Sequence, residues 1–349
     1  MIRVLVADDS PLFADAIVDV LVRDREIDVV GVACDGAEAV RLTEQLHPDI
    51  VVMDVRMPVM DGLAAIEEIM RRAPTPVLVM TSDPRGDSGE LSFEALRRGA
   101  LDLVVKPSAW PVSAGEQEAM RQHLKLLAGV AVVQRAGRRR SENVSRGVEP
   151  VVLAAGASFQ AVGIVASTGG PAALAMVLGG LGRAFPLPVL VVQHLAPGFA
   201  PRLATWLDAA SQLHVRLARQ GDTLEPGVVL LAPDDTHMEV DRAATRVYLD
   251  ASAPVGGHRP SGTVLLRSLG QVCGATAIGV VLTGMGGDGA KGLLTIREAG
   301  GLAMVQDEAS SVVYGMPRAA RELGAASMVV PLQDVAGELE RAARRKGSA

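Results

Sequence analysis

Ser167, His194 and Asp288 each follow a short apolar run: AVGIVA before the serine, VLVVQ before the histidine, and AIGVVLT before the glycine-rich loop that holds the aspartate. A serine hydroxyl is a weak nucleophile at neutral pH. It needs a base within reach, and an imidazole serving as that base needs a carboxylate to fix its tautomer. The chain sets one of each at the end of an apolar run, so acyl transfer is the chemistry these residues suggest. Thr168 and two glycines follow Ser167, and a helix start is expected near Pro171. Backbone N–H groups at such a helix N-terminus can stabilise an oxyanion, although the same position also suits a plain N-cap serine. His214, His237 and His258 remain rivals to His194. His237 in DDTHM and His258 in HRPSG are candidates to line a cleft, but neither follows an apolar run.

A second group is acidic. Asp8 and Asp9 end the first apolar run, Asp54 the third, Thr81 the fourth and Lys106 the fifth. Three carboxylates brought together repel one another unless a cation joins them, and Mg²⁺ prefers such hard oxygen ligands. Asp54 can then act as a nucleophile toward a phosphoryl group. Lys106 offsets charge on a phosphoryl oxygen, and the Thr81 hydroxyl is a donor able to move toward it. The loop after Val281 also contains Gly284, Gly286 and Gly289 in GxGxxG spacing, with Asp307 further on, which taken alone is a dinucleotide-binding pattern. Asp288 inside that loop would repel a pyrophosphate.

These residues need elements that bring them to one edge. Runs rich in Val and Ile at Ile2–Val6, Val29–Val32, Ile50–Met53, Val77–Met80 and Leu103–Val105 alternate with helix-period segments, which reads as five βα units and a flavodoxin-like parallel sheet. Ser113 and Glu116 form a capping box that opens the last helix of this unit. After residue 155 the alternation resumes at Ala161–Ala166, Val189–Gln193, Ala277–Thr283 and Leu302–Gln306. Val228–Ala232 and MEVDRAATRVYLD read as a hairpin region. The expected fold is therefore α/β throughout: a (βα)5 unit over residues 1–125, a linker over 126–155 and a doubly wound, mostly parallel second domain with an antiparallel edge hairpin over 156–346. QRAGRRRSENVSRGVEP, inside the linker, reads as a solvated hinge.

Composition narrows the classes. A net charge of −6 argues against a broad grip on nucleic acid, and two distant cysteines, Cys34 and Cys273, support neither a disulfide framework nor a zinc site. The opening MIRVLVADDS reaches acidic residues at once and no run of about 18 apolar residues occurs, so the cytoplasm, without membrane insertion, is the expected place.

Up to about residue 120 the chain resembles the receiver domains of two-component response regulators, on VLVADDSP, MDVRMPVMDG, MTS and KPS. The resemblance implies a histidine kinase as phosphodonor, Asp54 as acceptor, Asp8 and Asp9 as metal-binding acids beside it, and Thr81 and Lys106 as switch residues. Leu103 stands where receivers usually carry an aromatic switch residue. Over nearly its whole length the chain resembles the CheB chemotaxis response regulators, which are protein-glutamate methylesterases that also deamidate glutamine. ASTGGP, QHLAPGF, LAPDDTHM, HRPSG, LTGMGGDGAKG and QDEASSVVYGMPR occur in order. This implies Ser167 as nucleophile, His194 as base, Asp288 as its orienter, and Thr168 and the Met285 backbone in the oxyanion region. It further implies no cofactor for the esterase, and methylated cytoplasmic helices of chemoreceptors as substrate. Val165 departs from the glycine often found before AST. The expectation for control is that the unphosphorylated receiver covers the esterase cleft and that phosphorylation of Asp54 favours an open arrangement.

Overall fold

Val- and Ile-rich runs buried on both faces have only one common solution, a parallel sheet covered by helices on either side. A computed structural model of the chain, describing residues 1–82, 87–107, 112–130 and 159–344, has two such sheets, one in each of two compact units, Met1–Ser141 and Glu142–Ala349. The expected hinge QRAGRRRSENVSRGVEP lies outside the described residues.

The first unit runs β1 (Ile2–Ala7), α1 (Pro11–Leu21), β2 (Ile27–Ala33), α2 (Gly36–Leu46), β3 (Ile50–Asp54), α3 (Gly62–Arg72), β4 (Val77–Thr81), α4 (Asp87–Arg98), β5 (Asp102–Val105) and α5 (Ala114–Ala128). Its strands are ordered β2-β1-β3-β4-β5, all parallel. Polar side chains fix where helices begin. Asp35 accepts from the Glu38 N–H and Asp61 from the Ala64 N–H, while Ser113 and Glu116 complete the capping box read from the sequence. α5 continues to Ala128, past residue 125.

The second unit runs β6 (Ala161–Ala166), α6 (Gly170–Gly180), β7 (Val189–Gln193), α7 (Ala200–Ala210), β8 (His214–Leu217), β9 (Val228–Leu231), β10 (His237–Val240), β11 (Val247–Asp250), α8 (Gly262–Cys273), β12 (Ala277–Val281), α9 (Ala290–Glu298), β13 (Leu302–Gln306), α10 (Met316–Glu322), β14 (Met328–Val330) and α11 (Leu332–Ala343). Its main sheet is ordered β14-β13-β12-β6-β7-β9-β8 and every pairing is parallel. The expected antiparallel hairpin is present as β10 and β11, but it forms a two-stranded sheet of its own. Met238, Val240 and Val247 of the hairpin join the core that also holds Leu265, Leu266 and Leu269 of α8, and this burial fixes its position. Val228–Leu231, read with the hairpin from sequence, instead pairs parallel with β7 and β8.

Candidate functional site

β6 lies between β7 and β12, and Val165 pairs with Val192 on one side and Val281 on the other. The residues that follow these three strands must therefore meet at one carboxyl edge, where the chain also switches from one side of β6 to the other. Ligands of doubly wound sheets bind at such a point. The Ser167 N–H donates to the Thr283 carbonyl and the His194 N–H to the Ala166 carbonyl, both at 3.0 Å, so Ser167 has the His194 segment on one flank and the glycine loop on the other. At Gly284 a Cβ would lie 2.6 Å from Ser167 Cβ, and only glycine lets the loop approach this closely.

His194 Nε2 lies 2.9 Å from Asp288 Oδ2; the Asp288 side chain is buried and that of His194 is 11% exposed. The Asp288 carboxylate receives three further donors: the Ser261 hydroxyl at 2.8 Å, the Gly262 N–H at 2.6 Å and the Thr263 N–H at 3.0 Å. It thus sits on the N-terminus of α8, where unsatisfied N–H groups and the helix dipole favour an anion. Burial pushes its pKa up, but the His194 ring, Thr263 and Ser261 outweigh that and hold it far below the usual carboxylate range. A carboxylate so ionised makes Nε2 the protonated nitrogen of His194 and leaves Nδ1 to accept a proton. Nδ1 is buried without a hydrogen-bond partner. The His194 ring lies flat against that of His258, with centroids 4.0 Å apart and planes 1° from parallel.

The surrounding loops are tied by buried polar groups that sequence reasoning missed. The Gln193 amide donates to the Ser167 and His194 carbonyls, each at 2.8 Å. The Thr283 hydroxyl donates to the Thr168 carbonyl at 3.0 Å and accepts from the Val313 N–H, while Thr283 N–H is held by the Gln306 side chain. Among the described residues, the N–H groups of Thr168 and Met285 donate to no other group, so each is a spare donor, one beside Ser167 and one next to Gly284. Ser261 and Gly262 end HRPSG and Thr263 follows it, yet nothing in that motif announces that they hold an aspartate of a different loop. Of the rival histidines, His237 accepts from the Ser261 N–H and faces the Ala253 carbonyl, and the exposed His214 pairs with Asp208.

GxGxxG spacing does not give a phosphate cradle here. Asp288 is committed to His194 and α8, the Gly289 N–H donates to the Thr263 hydroxyl at 2.8 Å, and the Asp307 carboxylate accepts from Ser310.

In the first unit Asp8, Asp9 and Asp54 each place a carboxylate oxygen within 4.8 Å of the others. Lys106 Nζ bridges Asp8 at 2.6 Å and Asp54 at 2.8 Å, and sits 4.7 Å from the centroid of the Phe13 ring. Asp54 Oδ1 accepts from the Val55 N–H. Burial raises the Asp54 pKa and the Asp8 charge adds to this, with Lys106 opposing both. The Thr81 hydroxyl is buried without a partner, at the end of the strand beside β3. Leu103 is buried on β5, opposite Val79. The three-carboxylate donor set fits a hard divalent cation such as Mg²⁺.

Residues 162–339 match the family model of the CheB methylesterase and residues 4–111 that of the response regulator receiver domain. The chain belongs to the CheB methylesterase family. It is similar to protein-glutamate methylesterase/protein-glutamine glutaminase 3 of Anaeromyxobacter dehalogenans (strain 2CP-C), 44% identical over 97% of this chain and 98% of that one. It is also similar to the fourth such protein of Myxococcus xanthus (strain DK1622), 42% identical over 99% of this chain and 98% of that one. The crystal structure of the Thermotoga maritima CheB methylesterase catalytic domain is similar to 53% of this chain, covering 99% of its own length, with a TM-score of 0.51 and 36% identity. Within this CheB chain the Val165 departure has a local counterpart. Val165 is fully buried, and a Cβ at Gly262 would overlap its side chain, so the extra bulk under Ser167 is accommodated by the missing side chain at the start of α8. Among the described residues no helix is long and apolar enough to cross a membrane.

Proposed function

We infer that this chain is a phosphorylation-controlled protein-glutamate methylesterase that also deamidates glutamine, and that Ser167, His194 and Asp288 carry the reaction. The observation that supports it most is the His194–Asp288 pair at the strand edge shared with Ser167, with the buried aspartate held ionised by three donors besides the histidine.

In this reading Ser167 Oγ attacks the γ-carbonyl carbon of a glutamyl methyl ester while its proton passes to His194 Nδ1. The resulting oxyanion takes hydrogen bonds from the spare N–H groups of Thr168 and Met285. Collapse breaks the bond to the methoxy oxygen, which leaves as methanol with the proton from Nδ1. Water then attacks the acyl-serine, giving up one proton to Nδ1 that returns to Ser167 Oγ as the acyl bond breaks, and the glutamic acid formed loses its remaining proton to solvent and leaves as glutamate. With glutamine the leaving group is ammonia. Asp288 stays ionised throughout and stabilises the imidazolium. No cofactor enters this cycle. Substrates are esterified glutamyl side chains on chemoreceptor helices.

Asp54 is the phosphoacceptor, supplied by a histidine kinase of the chemotaxis type. Asp8, Asp9 and Asp54 would hold Mg²⁺, which offsets negative charge during phosphoryl transfer. Lys106 then pairs with the phosphoryl group and the Thr81 hydroxyl swings to it. Hydrolysis of receptor methyl esters by the wild type and by Ser167→Ala tests the chemistry, and equal rates would overturn it. Adding a small phosphodonor tests the control, with a higher rate expected in the wild type and none in Asp54→Asn.

A further inference from the structure

We propose that His258 is a positioning residue for His194: a neutral imidazole stacked on the base, which holds its ring plane and stabilises its cationic form. The proposal rests on the esterase reading above, in which His194 becomes an imidazolium.

Two rings with centroids 4.0 Å apart and planes 1° from parallel are stacked. That contact covers one face of an imidazole whose Nε2 is fixed by Asp288 and whose Nδ1 has no hydrogen-bond partner. With a single bond to the carboxylate, the ring could still rotate about the Nε2–Oδ2 line. A rigid plane against its face removes that freedom, which an aligned proton transfer requires. When His194 takes the proton, the neutral ring beneath it offers a π face to the new cation.

His258 is itself placed by structure rather than by chance. Its N–H and carbonyl both bond Val255, at 3.1 Å each, closing the loop between β11 and α8. Arg259, next in sequence, donates to the Ala251 and Ser252 carbonyls. Below, the buried His237 faces the Ala253 carbonyl and accepts from the Ser261 N–H, and Ser261 in turn donates to Asp288. The two partners of His194 are thereby hung from one brace.

The electrostatics suit a neutral ring. Partial burial and the neighbouring His194 disfavour a charge on His258, while Asp288 favours one and loses. Asp234, Asp235 and Arg259 line the same recess. Arg259 lies 3.6 Å from Asp235, and Asp234 accepts from the Gly198 N–H. Were both imidazoles protonated, two like charges would lie face to face, so the proton that His194 takes up during the cycle keeps His258 neutral.

The test uses the full chain with His258→Ala, which removes the stack, and His258→Phe, which keeps an aromatic plane but cannot titrate. The rate of Ser167 labelling by a fluorophosphonate is followed against pH alongside kcat and KM on a glutamyl methyl ester, with thermal unfolding as the check on folding. His258→Ala should lower kcat and the labelling rate about tenfold, with KM little changed. His258→Phe should keep the rate within about threefold of wild type. Because a proton on His194 keeps His258 neutral, the wild type and the Phe variant should both lose rate on the acid side with a slope of one proton. A Phe variant as slow as the Ala variant, wild-type rates in both, or a two-proton slope in the wild type would overturn the role. Were the esterase reading itself wrong, Ser167→Ala would label and hydrolyse like wild type whatever His258 does.

Discussion

Asp288 carries its charge in a place nearly closed to water, where burial alone would neutralise it, and four donors keep it ionised. Its pKa is lower folded than unfolded, so it contributes stability that is fully present above the ordinary carboxylate value of about 4 and is lost as pH falls through the folded value. Asp288→Asn should therefore flatten the loss of thermal stability on acidification below about pH 4, and should lower kcat by about 10³- to 10⁴-fold by favouring the wrong tautomer of His194. Thermal melts across pH and steady-state kinetics check the two halves separately. Asp54 has the opposite sign. Its pKa is raised, first by burial, so its charge opposes folding at neutral pH and stability is gained as pH falls through the folded value. Asp54→Asn should raise the melting temperature of the first unit by a few degrees without Mg²⁺. Mg²⁺ should raise it more in the wild type than in the variant, as differential scanning calorimetry would read.

At the start of α8, side-chain volume and helix position are coupled. Gly262→Ala drives a methyl group into Val165, and overpacking of this kind costs about 1–3 kcal/mol. Adding Val165→Ala should recover most of the loss, so the two changes will not add, and urea titration of the single and double variants measures the coupling. This pair also marks the limit of what the sequence discloses. Long, buried, β-branched runs announced β1, β3, β4, β6, β7, β12 and β13, and with them the edge on which Ser167, His194 and Asp288 stand, because a parallel sheet leaves its loops nowhere else to go. His214–Leu217 and Met328–Val330 are too short for such a pattern, and they form only because a neighbouring strand offers its edge. The grip of Ser261, Gly262 and Thr263 on Asp288 was illegible for another reason: it joins a helix start to a loop through three-dimensional placement, and no spacing within either segment encodes it. The stack of His258 on His194 was hidden in the same way, although HRPSG named the histidine.

For the whole chain, the two units have the same logic, a parallel sheet with its chemistry at the carboxyl ends, and phosphorylation links them only if acyl transfer responds to charge at Asp54. A small phosphodonor should raise ester hydrolysis in the wild type and in Leu103→Phe alike, while Leu103→Ala, which opens a cavity beside Val79, should lose about 2–4 kcal/mol of stability in the first unit. Stopped assays with receptor fragments and chemical denaturation would read both. The Thr283 hydroxyl that grips the Thr168 carbonyl reaches across 115 residues of chain. Closing so long a loop is slow compared with forming a helix or a neighbouring βα unit, and the edge that gathers Ser167, His194 and Asp288 exists only once β12 has docked beside β6. On dilution from denaturant, helical ellipticity should therefore return before the ability to react with an active-site probe, and competence would be the last property this chain acquires as it folds.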